Sequence, residues 1–246
     1  MPSVMMGLLD AKLLASALVP HASRDDITPP IKNIVLGGEH GNYAYATDRY
    51  TVGRYDLTHI VEDFPEEVLY IPRDLLSAIR SLGPASLVDH HTESNYRLVI
   101  ETVDIGKIKY TKAKVLWHDE ELGDILHWMR TWNTITDRGF PPIGRLFQDL
   151  YEGGAGTALL GPEHVDKFTG YAQRIRERVA VSFTSREQTK NLSPILIEIG
   201  TRFKGLLQPN LLVRRDGLGP DLLAENAAAK AEAEAEVTPA EDEATE

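Results

Sequence analysis

Apolar and polar positions alternate through most of the first half of the chain, and helical spacing interrupts them only briefly. Residues 7–22 place Leu8, Leu9, Leu13, Leu14 and Leu18 near one side, which predicts a helix. Pro29-Pro30 predicts an extended entry into a strand, IKNIVLGGE, closed by Gly37-Gly38 and Gly41-Asn42. YAYATDRYTVGRYDL, residues 43–57, alternates as a hairpin but carries Asp48-Arg49 at its middle. EEVLYIPRDLLSAIRSLG reads as a short strand running into a helix, with Pro72 suited to the first turn. SLVDHH, NYRLVIETV and KIKYTKAKVLW predict three further strands.

The second half begins differently. EELGDILHWMRTWN puts Leu122, Ile125, Leu126, Met129 and Trp132 at helical spacing, so residues 119–138 are expected to form a linker helix. RLFQDLYEGGAG predicts a short helix ending in glycines. TALLGPEHVDKFTGYAQRI then repeats the order of strand, proline turn and helix, and VAVSFTS, PILIEIGTRF and GLLQPNLLVRR predict strands. The pattern is α+β with mostly antiparallel sheet. It divides into residues 1–118, the linker helix, a second and shorter related unit at 139–215, and a tail at 216–246. That tail is rich in Ala and Glu with few large apolar residues, and is expected to stay disordered.

Composition narrows the chemistry. At 246 residues and 42% apolar, the chain can bury a sizeable core. It has no cysteine, which excludes disulfides, thiolate metal sites and cysteine nucleophiles and fits a cytoplasmic setting. The first 26 residues have neither a basic leader nor an apolar run long enough to span a membrane. The net charge of −11 is uneven: nine acids after residue 220 face only Lys230, so that segment carries −8 and leaves −3 for the rest. A local basic face is therefore compatible with the sum. His90-His91, flanked by Asp89 and Glu93, is a poor metal site because adjacent strand side chains point to opposite faces. GGAG at 153–156 lacks the Gly-Lys-Ser/Thr of a phosphate loop. His21, Ser23 and Asp25 lie too close in sequence to be read as a catalytic triad. No catalytic residue, metal or cofactor is expected.

ATDRYTVG resembles the Ala-Thr-Asp-(Gly or Arg)-(His or Tyr)-Arg-Leu-Ala strand of the bacterial DNA polymerase III beta subunit, the sliding clamp. PPIKNIVLGGEHGN, EEVLYIPRDLLSAIRSLG, KIKYTKAKV with FPPIGRLF, and SPILIEIGTRFKGLLQPNLL resemble further segments of that family, in the family's order over residues 7–213. The resemblance implies a homo-oligomeric ring of similar α+β domains, with sheets outside and helices lining a hole for duplex DNA. It implies a non-enzymatic processivity factor, inside a bacterium or a phage-infected one. The reduced length suits a bacteriophage clamp, or alternatively a clamp-like peptide-binding module or inhibitor that does not encircle DNA.

Carried over residue by residue, the resemblance implies a groove for motif peptides of polymerases and clamp loaders. Its walls would be Ile31, Thr47, Tyr50, Val52, Pro141, Arg145, Leu146, Leu206, Gln208, Pro209 and Asn210. The helices would present Lys12, Arg73, Arg80, Lys167, Arg174 and Arg178 to DNA. Some positions depart from the family: Thr51 replaces an arginine, Gln208 and Asn210 replace methionines, and Pro142-Ile143-Gly144 replaces Asp-Tyr-Arg. Amides in place of methionines make a groove more polar and less adaptable.

Overall fold

The computed structural model describes residues 2–82, 96–105, 108–133, 139–147, 151–152, 160–185 and 194–208. Two antiparallel sheets carry the fold. The first runs β1 (Ser3–Gly7), β6 (Tyr96–Ile105), β7 (Ile108–Asp119) and β8 (Gly123–Asn133). The second, of eight strands, is ordered β5 (Leu69–Pro72), β2 (Asn33–Leu36), β3 (Tyr43–Thr47), β4 (Thr51–Asp56), β12 (Phe203–Leu207), β11 (Ile195–Ile199), β10 (Val179–Ser185) and β9 (Tyr151–Glu152). Its two halves meet where β4 pairs with β12, in the register Val52↔Leu206 and Gly53↔Gly205.

Strict alternation makes both faces of the eight-stranded sheet apolar. Ile34, Leu36, Ala44, Ala46, Tyr55, Ile195, Ile197, Ile199, Phe203 and Leu207 turn to the main core. That core also takes α1 (Leu8–Leu18), α2 (Arg73–Ser81), α3 (Pro162–Ile175) and one face of the four-stranded sheet. Helix α1 packs against both α2 and α3. Val35, Tyr45, Val52, Leu196 and Leu206 occupy the other face, in a separate cluster. The paired glycines let elements approach the sheet closely. A Cβ on Gly205 would lie 2.3 Å from Phe168 Cε1 on α3, and one on Gly53 would lie 2.9 Å from His21 Cδ2.

The structure corrects four local expectations. Ser3–Gly7 is a strand paired with β6, so the first helix starts at Leu8. Pro29–Lys32 is a 3₁₀ turn, and the strand begins only at Asn33. Around Ile143–Phe147 the helix expected from residue 145 is a five-residue 3₁₀ segment. The linker helix at 119–138 is the largest error, because Gly123–Asn133 is strand β8, paired along β7. Its hairpin is set by Asp119, whose Oδ1 accepts the N–H groups of Glu121 and Leu122 at 2.9 Å each, and by Gly123 at φ 74°. A bulge explains the misreading. Leu116 faces Leu126 but Val115 faces Trp128, leaving His127 as an extra residue. The insertion breaks the two-residue period, so the apolar positions fall at spacings that imitate a helix. Residues 134–138, the strand expected at 86–91 and the tail from 216 lie outside the described residues.

Candidate functional site

The cluster on the sheet face away from the helices draws on distant parts of the chain. Ile31 lies in the 3₁₀ turn Pro29–Lys32, Val52 on β4, and Leu206 on β12. Over them lies the segment 140–147, which contributes Phe140 and Ile143, with Leu146 and Phe147 packed at its edge. Four residues expected in one groove, Ile31, Val52, Leu146 and Leu206, thus share one apolar cluster. Most of it is covered: Leu206 is 3% exposed, and Ile31, Thr47 and Val52 are buried. These side chains form a floor and are not freely available. Of the other residues expected in the groove, Arg145, Gln208 and Tyr50 are exposed, Tyr50 (52% exposed) stacking on the His164 ring of α3 with centroids 5.2 Å apart, and Pro141 and Leu146 are half-buried. The Gln208 N–H donates to the Tyr50 carbonyl at 3.1 Å, which holds the end of β12 beside the hairpin tip. Pro209 and Asn210 lie outside the described residues.

Asp48 explains why the hairpin carries a charge at its tip. Its Oδ1 accepts the N–H of Tyr50 at 3.2 Å and both the N–H and the hydroxyl of Thr51 at 2.8 Å. Arg49, at φ 82°, takes the left-handed position that this turn requires, and its guanidinium pairs with Asp25 at 2.7 Å. Asp48 Oδ2 accepts from the Lys167 ammonium of α3, so the turn is pinned to the helix. Burial pushes the Asp48 carboxyl up, but the hydrogen bonds from Lys167 and Thr51 outweigh it and hold the pKa below the usual range.

The same turn reaches a buried histidine. His21 Nδ1 lies 3.1 Å from Thr51 Oγ1, whose one proton is directed at Asp48. The imidazole must therefore donate from Nδ1, leaving Nε2 as a buried acceptor with no partner. Phe168 and Phe203 flank the ring with centroids at 4.6 and 5.6 Å. Burial drives its pKa down to about 3, with Asp48 raising and Lys167 further lowering it. The trio of His21, Ser23 and Asp25 forms no relay, since His21 turns to Thr51 while the Ser23 hydroxyl accepts the Asp25 N–H.

No family model matches the sequence, and no curated protein matches it. Solved structures do. The DNA polymerase III subunit beta of Borrelia burgdorferi, in complex with a natural product, aligns with a TM-score of 0.53 at 9% identity over 86% of this chain. The beta subunit of Thermotoga maritima gives 0.52 at 10% over 91%. The sliding clamp of Bartonella birtlesii, bound to griselimycin, gives 0.51 at 11% over 85%. This chain has the sliding-clamp fold. It spans 65%, 67% and 66% of the lengths of those three clamps.

Within the clamp fold, the basic residues expected on the helices divide into two kinds. Arg80 and Arg174 are exposed, on α2 and α3. Arg73 is half-buried, and burial, then the nearby Arg24 and, more weakly, Arg80, pull its pKa down against the opposing Asp74. Arg24 was not anticipated, because it lies in a loop and only folding brings it to α2. Lys12 does not fit the expectation: it is 5% exposed on the packed side of α1. Lys167 is committed to Asp48, and Arg178 lies beyond the end of α3, where Arg176 takes the left-handed cap position at φ 56°. Among the described residues no group of acidic and histidine side chains could hold a metal, and no helix is long and apolar enough to cross a membrane. His90, His91 and the 153–156 glycine run lie outside those residues.

Proposed function

We propose that this chain is a DNA polymerase sliding clamp: copies of it close around duplex DNA, and partner peptides dock at the rim of the Ile31–Val52–Leu206 cluster. One observation carries the reading. Residues expected for a single groove, scattered from position 31 to position 206, gather on one face of one sheet while the helices pack on the other. A closed ring holds DNA by topology, so it needs only weak, salt-sensitive attraction to phosphates. Arg24, Arg73, Arg80 and Arg174 supply that attraction, in place of the longer set expected from sequence. Association between copies has a suitable element in β8, an edge strand with Ile125, Leu126 and Met129 exposed.

A partner's leucine rests on Leu146 above the buried floor and its aromatic side chain on the exposed Tyr50 ring at the hairpin tip, and Gln208 supplies polar selectivity. A few such anchors dominate the energy of a peptide site. A labelled peptide containing Gln-Leu-Phe should bind the full chain, and Tyr50→Ala should weaken it about tenfold, roughly 1.4 kcal/mol. Fluorescence anisotropy measures this, with a melting curve to show that the variant remains folded. Unchanged affinity in Tyr50→Ala, or no binding to the parent chain, contradicts the groove assignment. A second reading, a clamp-like peptide receptor or inhibitor that never encloses DNA, is favoured by two of the expected DNA-facing cations, Lys12 being buried on α1 and Lys167 paired with Asp48.

A further inference from the structure

On the same sheet face, a cavity of about 540 Å³ opens beside the 140–147 segment, at a distance in sequence from the Tyr50 and Gln208 rim. Its walls include Glu39, His40, Tyr43, Tyr45, Arg54 and Arg145. Arg54 is held with unusual definition for a half-buried arginine. Its guanidinium carbon lies 4.6 Å from the Tyr43 ring centroid and 4.5 Å from that of Phe147, so aromatic rings fix its plane. Its direct cross-strand neighbour is Tyr45. The next strand places Lys204 opposite Arg54, but Lys204 is neutralised by Glu198. Neither Arg54 nor Arg145 has a carboxylate partner among the described residues.

We infer that this cavity is a carboxylate-binding site, taking an acidic side chain of a partner peptide between Arg54 and Arg145. A planar guanidinium that is already oriented matches a carboxylate by paired N–H···O bonds and loses little further freedom on binding. Glu39 in the wall selects the charge. It tolerates a monoanion facing two arginines but opposes a phosphate dianion or a run of phosphates. The aromatic side chains and the volume leave room for a planar or apolar neighbour of the acidic residue. The partner class rests on the peptide-groove reading above, whereas binding of the carboxylate itself does not.

The test uses the full chain and two dipeptide amides, N-acetyl-Glu-Phe-amide and N-acetyl-Gln-Phe-amide, with inorganic phosphate as a third probe. Binding is followed through the arginine Nε–Hε signals in nitrogen-15 NMR. The Glu dipeptide should shift the Arg54 and Arg145 signals saturably and bind about tenfold more tightly than the Gln dipeptide, the usual scale of one charge-assisted contact. Arg145→Gln, at an exposed position, should abolish the preference without unfolding the chain, and Arg54→Gln should do the same. Equal affinities for the two dipeptides, no saturable shift, or phosphate binding as tightly as the Glu dipeptide would each overturn the inference. If the dipeptides fail to differ while the Gln-Leu-Phe peptide still depends on Tyr50, the carboxylate site alone is wrong. If the Glu dipeptide binds as expected and the Gln-Leu-Phe peptide does not, the groove reading alone fails.

Discussion

Asp48→Ala should lower the unfolding free energy by about 2–4 kcal/mol, read from the urea midpoint at constant slope. The substitution removes the acceptor for two backbone N–H groups and a hydroxyl, and leaves the Lys167 ammonium without its carboxylate. The side chains of the pair are only 19% and 15% exposed, so water compensates poorly, although the residual exposure places the cost below that of a fully buried pair. Asp48→Asn keeps an acceptor oxygen for the turn and loses only the charge, so it should cost less. Adding Lys167→Met to Asp48→Ala should recover part of the loss, because the stranded charge is removed as well. A change within about 0.5 kcal/mol for Asp48→Ala would show that the tip is an ordinary surface turn.

Acid should weaken the fold well before its carboxylates protonate. His21 has a folded-state pKa of about 3 against an ordinary 6.5, because protonation would charge a ring enclosed by Phe168 and Phe203. Between those values the unfolded chain takes up a proton that the folded chain refuses. Stability therefore falls as pH falls, by about 1.4 kcal/mol per pH unit below 6.5, until the pH nears the folded value. The contribution of Asp48 has a lower window. Its pKa is depressed in the fold, so its stabilisation is complete above the ordinary 3.8 and is lost as pH falls through the folded value. Urea titrations at pH 6.5, 5.5 and 4.5 should show the His21 slope, and His21→Asn should flatten it whatever its effect at neutral pH. The same slope in parent and variant would mean that His21 is accessible to protons in the folded chain.

Much of the sheet was legible because alternation survives burial on both faces. Ala44 and Ala46 face the helices while Tyr45 faces the second cluster, as the YAYAT pattern implies. The convergence of Ile31, Val52, Leu146 and Leu206 was also reachable, through the order of short segments resembling a clamp. Their burial was not, since sequence gives no measure of how closely residues 140–147 lie on the sheet. Strand β8 was lost because a single inserted residue at His127 destroys the period on which strand recognition depends. The Asp119–Gly123 turn was the signal that could have corrected it. Lys12 was misplaced because helical spacing shows which residues share a side but not that α1 is packed against two other helices. Arg24, the His21–Thr51–Asp48–Lys167 chain and the glycine pair Gly53–Gly205 depend on contacts between segments far apart in sequence, which one chain without its fold does not reveal.

The enclosure of DNA is the central claim, and projection images of the full chain by negative-stain electron microscopy at micromolar concentration test it most directly. The account predicts closed rings with a central hole wide enough to admit a duplex. Single compact particles, or assemblies with no such hole, would contradict it.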